Sequence, residues 1–180
     1  AGRVASYPGR WGETGGKGCV AGRAPADPAT LAVAMARGGF ESQGQKCSAA
    51  SRIYVPRSLW PDVRDRVVAM MDEMKMGDPT DFRHFVGAVI DKRAFEKISE
   101  YITDAKSNAK IISGGKVDGK NGFFISPTLV EARDPGYRLL GEEIFGPVVP
   151  ADSYDDAHWD ATHDTTARTS PYALTGPVAP

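Results

Sequence analysis

The sequence predicts an α/β fold in which helices are layered on a sheet. Three observations lead to this prediction: helical and strand-type segments alternate, the helical segments begin at capping residues, and glycine or proline separates one segment from the next. The 180 residues are enough for one domain that buries roughly two thirds of its unfolded surface. We therefore expect a single hydrophobic core.

The first predicted helix begins at Asp27. This residue is a suitable N-cap, and Pro28 follows it at the first helical position. Leu31 and Met35 continue at helical spacing, and the helix is expected to fray at Gly44. Upstream of it, the glycine-rich stretch 1–23 predicts no strand from its local pattern.

Two further helices are predicted downstream, one capped by Ser58 and running to about Met74, the other capped by Asp91. The methionines of the Ser58 helix could form a soft ligand-binding face, but core packing is the better interpretation because methionine fills irregular gaps. Segments rich in β-formers follow the first of the three predicted helices, at 52–55, and the last, at 110–113, 123–125 and 127–131.

Composition excludes several classes of partner. The net charge of −1 gives no basic field for nucleic acid, so a small molecule or another protein is the expected partner. No run approaches the ~20 apolar residues of a membrane helix. Two cysteines are too few for a disulfide framework, and His84, His158 and His163 lack zinc-ligand spacing. We expect a reducing compartment, no membrane span and no metal.

Cys47 is the candidate nucleophile. It lies in the stretch 38–51, between the end of the first helix and the strand at 52–55, so it is expected on a helix-to-strand turn. A thiol there can be exposed enough to react as the thiolate. The alternative is a small buried core residue, since free cysteine is among the most buried residue types.

The stretch around Cys47 resembles the nucleophile segment of the aldehyde dehydrogenase superfamily. Three further segments resemble motifs of that family in the right order: 12–17, like its Glu-x-Gly-Gly-Lys motif, 142–148, like its nicotinamide-ribose motif, and 172–176, like the late loop over the substrate. Cys47 follows Glu13 by 34 residues, close to the family's spacing. The resemblance implies a catalytic domain of the aldehyde dehydrogenase type, with a mainly parallel sheet flanked by helices.

The resemblance also implies the chemistry and the residues that perform it. Cys47 would form a covalent thioester, and Glu13 would act as general base for its hydrolysis. The hydride would pass to NAD, with Glu143 holding the nicotinamide ribose and Phe145 packing beside the ring. The backbone N–H of Cys47 would donate to the oxyanion. Lys17 is expected to be structural.

Some residues suggest a substrate within the family. Lys46, Ser48 and Thr14 are most similar to members that oxidise L-glutamate γ-semialdehyde to L-glutamate in proline breakdown, where Ser48 and the backbone of Gly176 would bind the substrate carboxylate. Pro177 departs from this pattern, because the family has alanine there and proline has no N–H to donate.

Other interpretations exist for two of these segments. Glycines with a lysine at 12–18 could form a phosphate loop, but the phosphate-loop spacing would need glycine at Trp11 and Ser or Thr at Gly18. Without the family match, Glu142 and Glu143 would be interpreted as a solvated acidic pair. Two alternative functions also stay open: another aldehyde dehydrogenase with a different acyl substrate, and a non-catalytic α/β assembly domain.

The resemblance further implies the organisation of the whole protein. Residues 1–12 would end the cofactor-binding domain or form a linker, and residues 13–180 would belong to the catalytic domain, incomplete at its C-terminus. Most of the cofactor-binding domain would then lie outside this sequence, so these 180 residues alone are expected to be inactive. The full-length protein is expected to be a homo-oligomer, cytoplasmic in a bacterium or in the mitochondrial matrix of a eukaryote.

Overall fold

The computed structural model describes residues 16–24 and 26–156. Within these ranges the chain forms a five-stranded sheet, in the order first, second, seventh, sixth and third strand, and a separate two-stranded hairpin. The strands are β1 (Gly18–Ala21), β2 (Ala50–Pro56), β3 (Lys110–Ser113), β4 (Val117–Asp118), β5 (Phe124–Ile125), β6 (Thr128–Glu131) and β7 (Val148–Tyr154). Only β3 runs antiparallel to its neighbour in the five-stranded sheet, so the predicted mainly parallel α/β architecture is confirmed.

Within the described ranges four helices accompany the sheet: α1 (Pro28–Phe40), α2 (Trp60–Glu73), α3 (Lys92–Asn108) and α4 (Arg138–Gly141). The predicted caps of α1 and α3 are confirmed, because the Thr30 N–H donates to Asp27 at 2.8 Å and the Ala94 N–H donates to Asp91 at 2.7 Å. Among the described residues, no helix is both long and apolar enough to span a membrane.

Two predicted helix boundaries are wrong. The N-cap of α2 is Leu59, without a side-chain cap, because the Ser58 hydroxyl donates instead to the Asp156 carboxylate at 2.7 Å. The first helix ends at Phe40 rather than fraying at Gly44. A short 3-10 turn, Glu41–Gly44, follows it, and its backbone leaves the right-handed region at Ser42.

Helices cover both faces of the sheet, and successive strand residues point to opposite cores. One core contains α1 and α2 packed on Ile53, Val149 and Leu129, with Met71 filling the space beneath α2 as predicted. The other core contains α3 and α4 packed on Val130 and Val148. This places the starts of β2 and β7, where the loops described below attach, between two helical layers.

The strand β1 was not predicted from local pattern. It pairs in parallel with β2, with Val20 opposite Ile53. Its glycine is required by packing, since a Cβ on Gly18 would lie 2.7 Å from the carbonyl oxygen of Ala49. The close approach brings the segment that precedes β1 directly against the segment that precedes β2.

Candidate active site

Cys47 lies in the turn between the 3-10 turn and β2, and its side chain is exposed. The prediction of a helix-to-strand turn is therefore confirmed, and the alternative of a buried core residue is wrong. The neighbouring Ser48 is exposed as well. The other cysteine, Cys19, is buried in β1 with only 5% of its surface accessible.

The thiol loop, residues 41–49, has an uncommon backbone. Three successive residues adopt positive φ: Ser42 at 50°, Gln43 at 58° and Gly44 at 64°. Left-handed conformations cost non-glycine residues roughly 1–2 kcal/mol each, so surrounding contacts must hold them. At Gly44 the contact is backbone to backbone, because a Cβ there would lie 2.6 Å from the Gly146 carbonyl oxygen.

The thiol loop is joined by this contact to a second segment, the acidic loop, residues 142–147. The Gln45 amide donates to the Phe145 carbonyl at 3.3 Å and accepts from the Ile90 N–H at 3.0 Å. The Gln43 amide donates to the Ala88 carbonyl at 3.1 Å. Gln45 therefore bonds the thiol loop to the acidic loop, and both glutamines bond it to the segment 88–90.

The two glutamates of the acidic loop have different environments. Glu142 is exposed and accepts hydrogen bonds from Arg138 at 2.8 Å and from the Tyr101 hydroxyl at 2.7 Å. The hydrogen bond from Arg138, and then that from Tyr101, lowers the pKa of Glu142. The solvated-pair interpretation is wrong for Glu143, which is half-buried.

Glu143 also has an oxygen available for a ligand. Its Oε1 atom is buried and has no hydrogen-bond partner among the described residues. A buried carboxylate oxygen without a donor is costly, so this position suits a ligand hydroxyl that donates to it. Beside it, Phe145 adopts φ 57° and keeps 39% of its surface exposed. A ribose hydroxyl with an adjacent flat ring fits these two residues.

Lys17 approaches the same region from the start of β1. Its ammonium donates to the Ser51 carbonyl at 3.1 Å and to the Leu139 carbonyl at 2.7 Å. Burial, and secondarily the nearby Arg52 guanidinium, lowers the pKa of Lys17 to about 7. Its hydrogen bonds agree with the predicted structural role.

Gly16 lies against the backbone of Cys47: a Cβ on Gly16 would be 2.5 Å from the Cys47 carbonyl oxygen. The structure therefore brings the end of the Glu-x-Gly-Gly-Lys segment to the thiol loop. Glu13 itself lies outside the described residues, and so does Gly176. In the part of the chain that is described, no group of three or more His, Cys, Asp or Glu side chains could hold a metal ion.

Sequence reasoning missed Arg52, Gln43 and Gln45 as residues that support the site. A sequence signal existed for Arg52 alone, since an arginine inside a strand of buried residues must find buried acceptors. Its guanidinium donates to the Leu140 carbonyl at 3.2 Å and to the Lys17 carbonyl at 3.3 Å.

In this α/β domain a loop with an exposed thiol is bonded to a loop whose glutamate has a buried oxygen without a described hydrogen-bond partner. The aldehyde dehydrogenase family model matches residues 10–179, and the chain therefore belongs to this family. Within the family, the chain is similar to delta-1-pyrroline-5-carboxylate dehydrogenases, in agreement with the predicted resemblance. The mitochondrial delta-1-pyrroline-5-carboxylate dehydrogenase of Dictyostelium discoideum is 47% identical over 99% of this chain and 32% of its own length.

Other relatives give the same result. The mitochondrial enzyme of Homo sapiens is 40% identical over 98% of this chain and 32% of its own length. The solved delta-pyrroline-5-carboxylate dehydrogenase of Mycobacterium tuberculosis, bound with NAD, has a TM-score of 0.80 and 40% identity over 96% of this chain and 31% of its own. The chain spans about a third of the length of the curated relatives it matches.

Proposed function

We propose that this chain is part of an NAD-dependent 1-pyrroline-5-carboxylate dehydrogenase, which oxidises L-glutamate γ-semialdehyde to L-glutamate in proline breakdown. The observation that carries the proposal is the exposed Cys47, fastened by the thiol loop to the acidic loop that carries Glu143. The identity of the relatives supports the substrate. Residues 13–180 would belong to the catalytic domain, and residues 1–12 would end the cofactor-binding domain.

Cys47 is the proposed nucleophile. Its thiolate attacks the aldehyde carbon, and the carbonyl oxygen becomes an oxyanion that accepts a hydrogen bond from the Cys47 N–H. When this tetrahedral adduct collapses, its C–H bond breaks, the hydride would pass to the acceptor that NAD supplies when bound, and a thioester remains on sulfur. The fixed backbone of the thiol loop favours this chemistry because the donor and the thiol need no reorganisation during the reaction.

Glu13 is the proposed general base. It takes a proton from the water that attacks the thioester, so that the C–S bond breaks and the acid is released. The packing of Gly16 on the Cys47 backbone supports this role, since Glu13 precedes Gly16 by three residues.

Glu143 and Phe145 are the proposed cofactor contacts within this chain. NAD, when bound, supplies the hydride acceptor. The buried Oε1 of Glu143 would accept from a ribose hydroxyl, and the exposed face of Phe145 would pack beside the nicotinamide. The NAD-bound solved relative supports the choice of cofactor.

Ser48 and Gly176 are proposed to recognise the substrate carboxylate. The exposure of Ser48 next to Cys47 supports this assignment. Pro177 removes one backbone donor beside Gly176, which favours a second candidate, an aldehyde dehydrogenase of different acyl specificity. We further propose a homo-oligomer, in the mitochondrial matrix if the source is eukaryotic, as the names of the eukaryotic relatives suggest, or in the bacterial cytoplasm.

The test is a substrate comparison with the full-length protein. NADH formation is followed with glutamate semialdehyde and with an aldehyde of equal chain length that lacks the carboxylate. We expect kcat/KM to favour glutamate semialdehyde by at least about tenfold, because a lost charge-assisted hydrogen bond leaves the site's donors unpaired. Equal kcat/KM for both aldehydes would instead support the second candidate, and full activity in Cys47→Ala would rule out both.

A further inference from the structure

The segment that carries Glu143 is held in place by two cations from a different part of the chain. Lys17 and Arg52 reach two consecutive backbone carbonyls of α4, those of Leu139 and Leu140. Helix α4 ends at Gly141, two residues before Glu143. The position of Glu143 therefore depends on where these two side chains hold α4.

The same two cations are also fixed to the strand that follows the nucleophile. Arg52 belongs to β2, five residues after Cys47, and its guanidinium bonds the Lys17 carbonyl as well as α4. Lys17 donates to the Ser51 carbonyl of β2 at 3.1 Å as well as to α4. The pair thus makes one polar connection between the strand leading from the thiol and the helix leading to Glu143.

The connection made by Lys17 and Arg52 costs more free energy than a purely structural link between β2 and α4 would need. Two like charges lie close together in a largely buried position, where each loses hydration and repels the other, as the lowered pKa of Lys17 reflects. An apolar contact would join β2 and α4 at lower cost. The compensating charges are the carboxylates of Glu143 and Glu142, which both act on Lys17.

We propose that Lys17 and Arg52 form a cation clamp that positions Glu143, and through it the nicotinamide ribose, relative to the Cys47 thiol. Both are positioning residues, since the hydrogen bonds that reach α4 go to its backbone carbonyls. The inference rests on the proposed function for its cofactor, NAD, but not for its substrate.

The test uses the full-length protein below about pH 7, where Lys17 carries its proton, with Lys17→Met, Lys17→Arg and, as matched control, Lys110→Met, an exposed lysine on the edge strand β3. Three quantities are measured: the NAD dissociation constant by calorimetry without aldehyde, the rate of Cys47 alkylation by iodoacetamide without NAD, and the KM for aldehyde. We expect Lys17→Met to weaken NAD binding about tenfold or more, the effect of losing a charge-assisted hydrogen bond at the site. Alkylation and the KM for aldehyde should stay unchanged.

The conservative variant gives the decisive comparison. Lys17→Arg keeps the charge and should recover part of the lost NAD affinity, while Lys110→Met should match the unsubstituted protein. NAD affinity that is unchanged in Lys17→Met, or that falls in proportion to Cys47 alkylation, overturns the clamp. If Lys17→Met does not fold, Arg52→Lys replaces it, and failure of both to fold shows a purely structural role and overturns the proposal.

The outcomes separate this inference from the proposed function. NAD binding that responds to Lys17 in a protein that does not oxidise glutamate semialdehyde would reject the proposed substrate and keep the clamp. An unsubstituted protein that does not bind NAD would reject both.

Discussion

The two cysteines differ in the properties that govern thiol reactivity. Cys47 is exposed in a turn, whereas Cys19 is buried and burial raises the pKa of its thiol. We predict that limited iodoacetamide treatment of the folded full-length protein modifies Cys47 and leaves Cys19 intact. Peptide mass mapping measures both sites in one sample, and denatured protein, in which both must react, is the control. Preferential modification of Cys19 would reject Cys47 as nucleophile.

The carboxylates are expected to act at different steps. Glu13→Gln should preserve a pre-steady-state burst of NADH and slow turnover, because hydride transfer precedes thioester hydrolysis. Glu143→Gln should slow hydride transfer and reduce the burst rate. Glu100→Gln is the matched control, since Glu100 is an exposed residue of α3 and should change neither phase. Rapid-mixing absorbance separates the three, and identical bursts in Glu13→Gln and Glu143→Gln would show that the roles are wrongly divided.

Lys17 should give the fold a measurable pH dependence. Its pKa is about 7 in the folded chain and near the ordinary 10.5 when unfolded. Between these values the unfolded chain binds a proton that the folded chain does not, so the free energy of unfolding should rise as pH increases from about 7 to about 10. Below about 7 both states are protonated and this contribution to the slope vanishes. Urea unfolding across this range should show a shallower rise in Lys17→Met, and equal slopes would contradict the lowered pKa.

At the scale of elements, the backbone contact between the thiol loop and the acidic loop should be sensitive to a single methyl group. Gly44→Ala imposes a left-handed alanine, about 1–2 kcal/mol, and forces a Cβ against the Gly146 carbonyl, about 1–3 kcal/mol more. The control is Gly141→Ala, where nothing lies within 4 Å and stability should be unchanged or higher. Denaturant unfolding measures both, and equal effects would mean that the loop contact does not constrain the thiol.

Elements with local signals were predictable, and those that depend on distant partners were not. The Asp27 and Asp91 caps bond residues three positions away, so sequence alone locates them. Ser58 has the same local signal, but its hydroxyl bonds Asp156, and no local rule anticipates that. Strand β1 escaped prediction because its glycine is dictated by contact with Ala49 rather than by β-propensity.

The residues of the candidate site also divide into those that could be predicted from sequence and those that could not. Cys47, Glu143 and Phe145 could be proposed from family motifs, because the chemistry restricts the residue types. The residues that hold them together could not, since Gln45 bonds Phe145 across 100 residues and Lys17 bonds Leu139 across 122. These contacts exist only once the sheet has formed.

For the whole molecule, the chain spans about a third of the length of its relatives. Residues 1–180 expressed alone are therefore predicted to form no NADH from glutamate semialdehyde, since without the remaining two thirds the cofactor would have few contacts besides Glu143. Absorbance assays of residues 1–180 and of the full-length protein, at equal concentration, test this. Comparable turnover would show that the additional length is not required.

The strand order also determines when the thiol loop can acquire its final shape during synthesis. Strand β2 pairs with β7, whose residues follow about a hundred positions later, and the loop contact to Gly146 comes from the same late stretch. At a ribosomal rate of about 5–20 residues per second, β2 can pair with β1 but lacks β7, and the thiol loop lacks its contact to Gly146, for roughly 5–20 s. During that interval the edge of β2 that later binds β7 is open to wrong partners, so the yield of folded protein should depend on chaperones more than the stability of the finished fold would indicate.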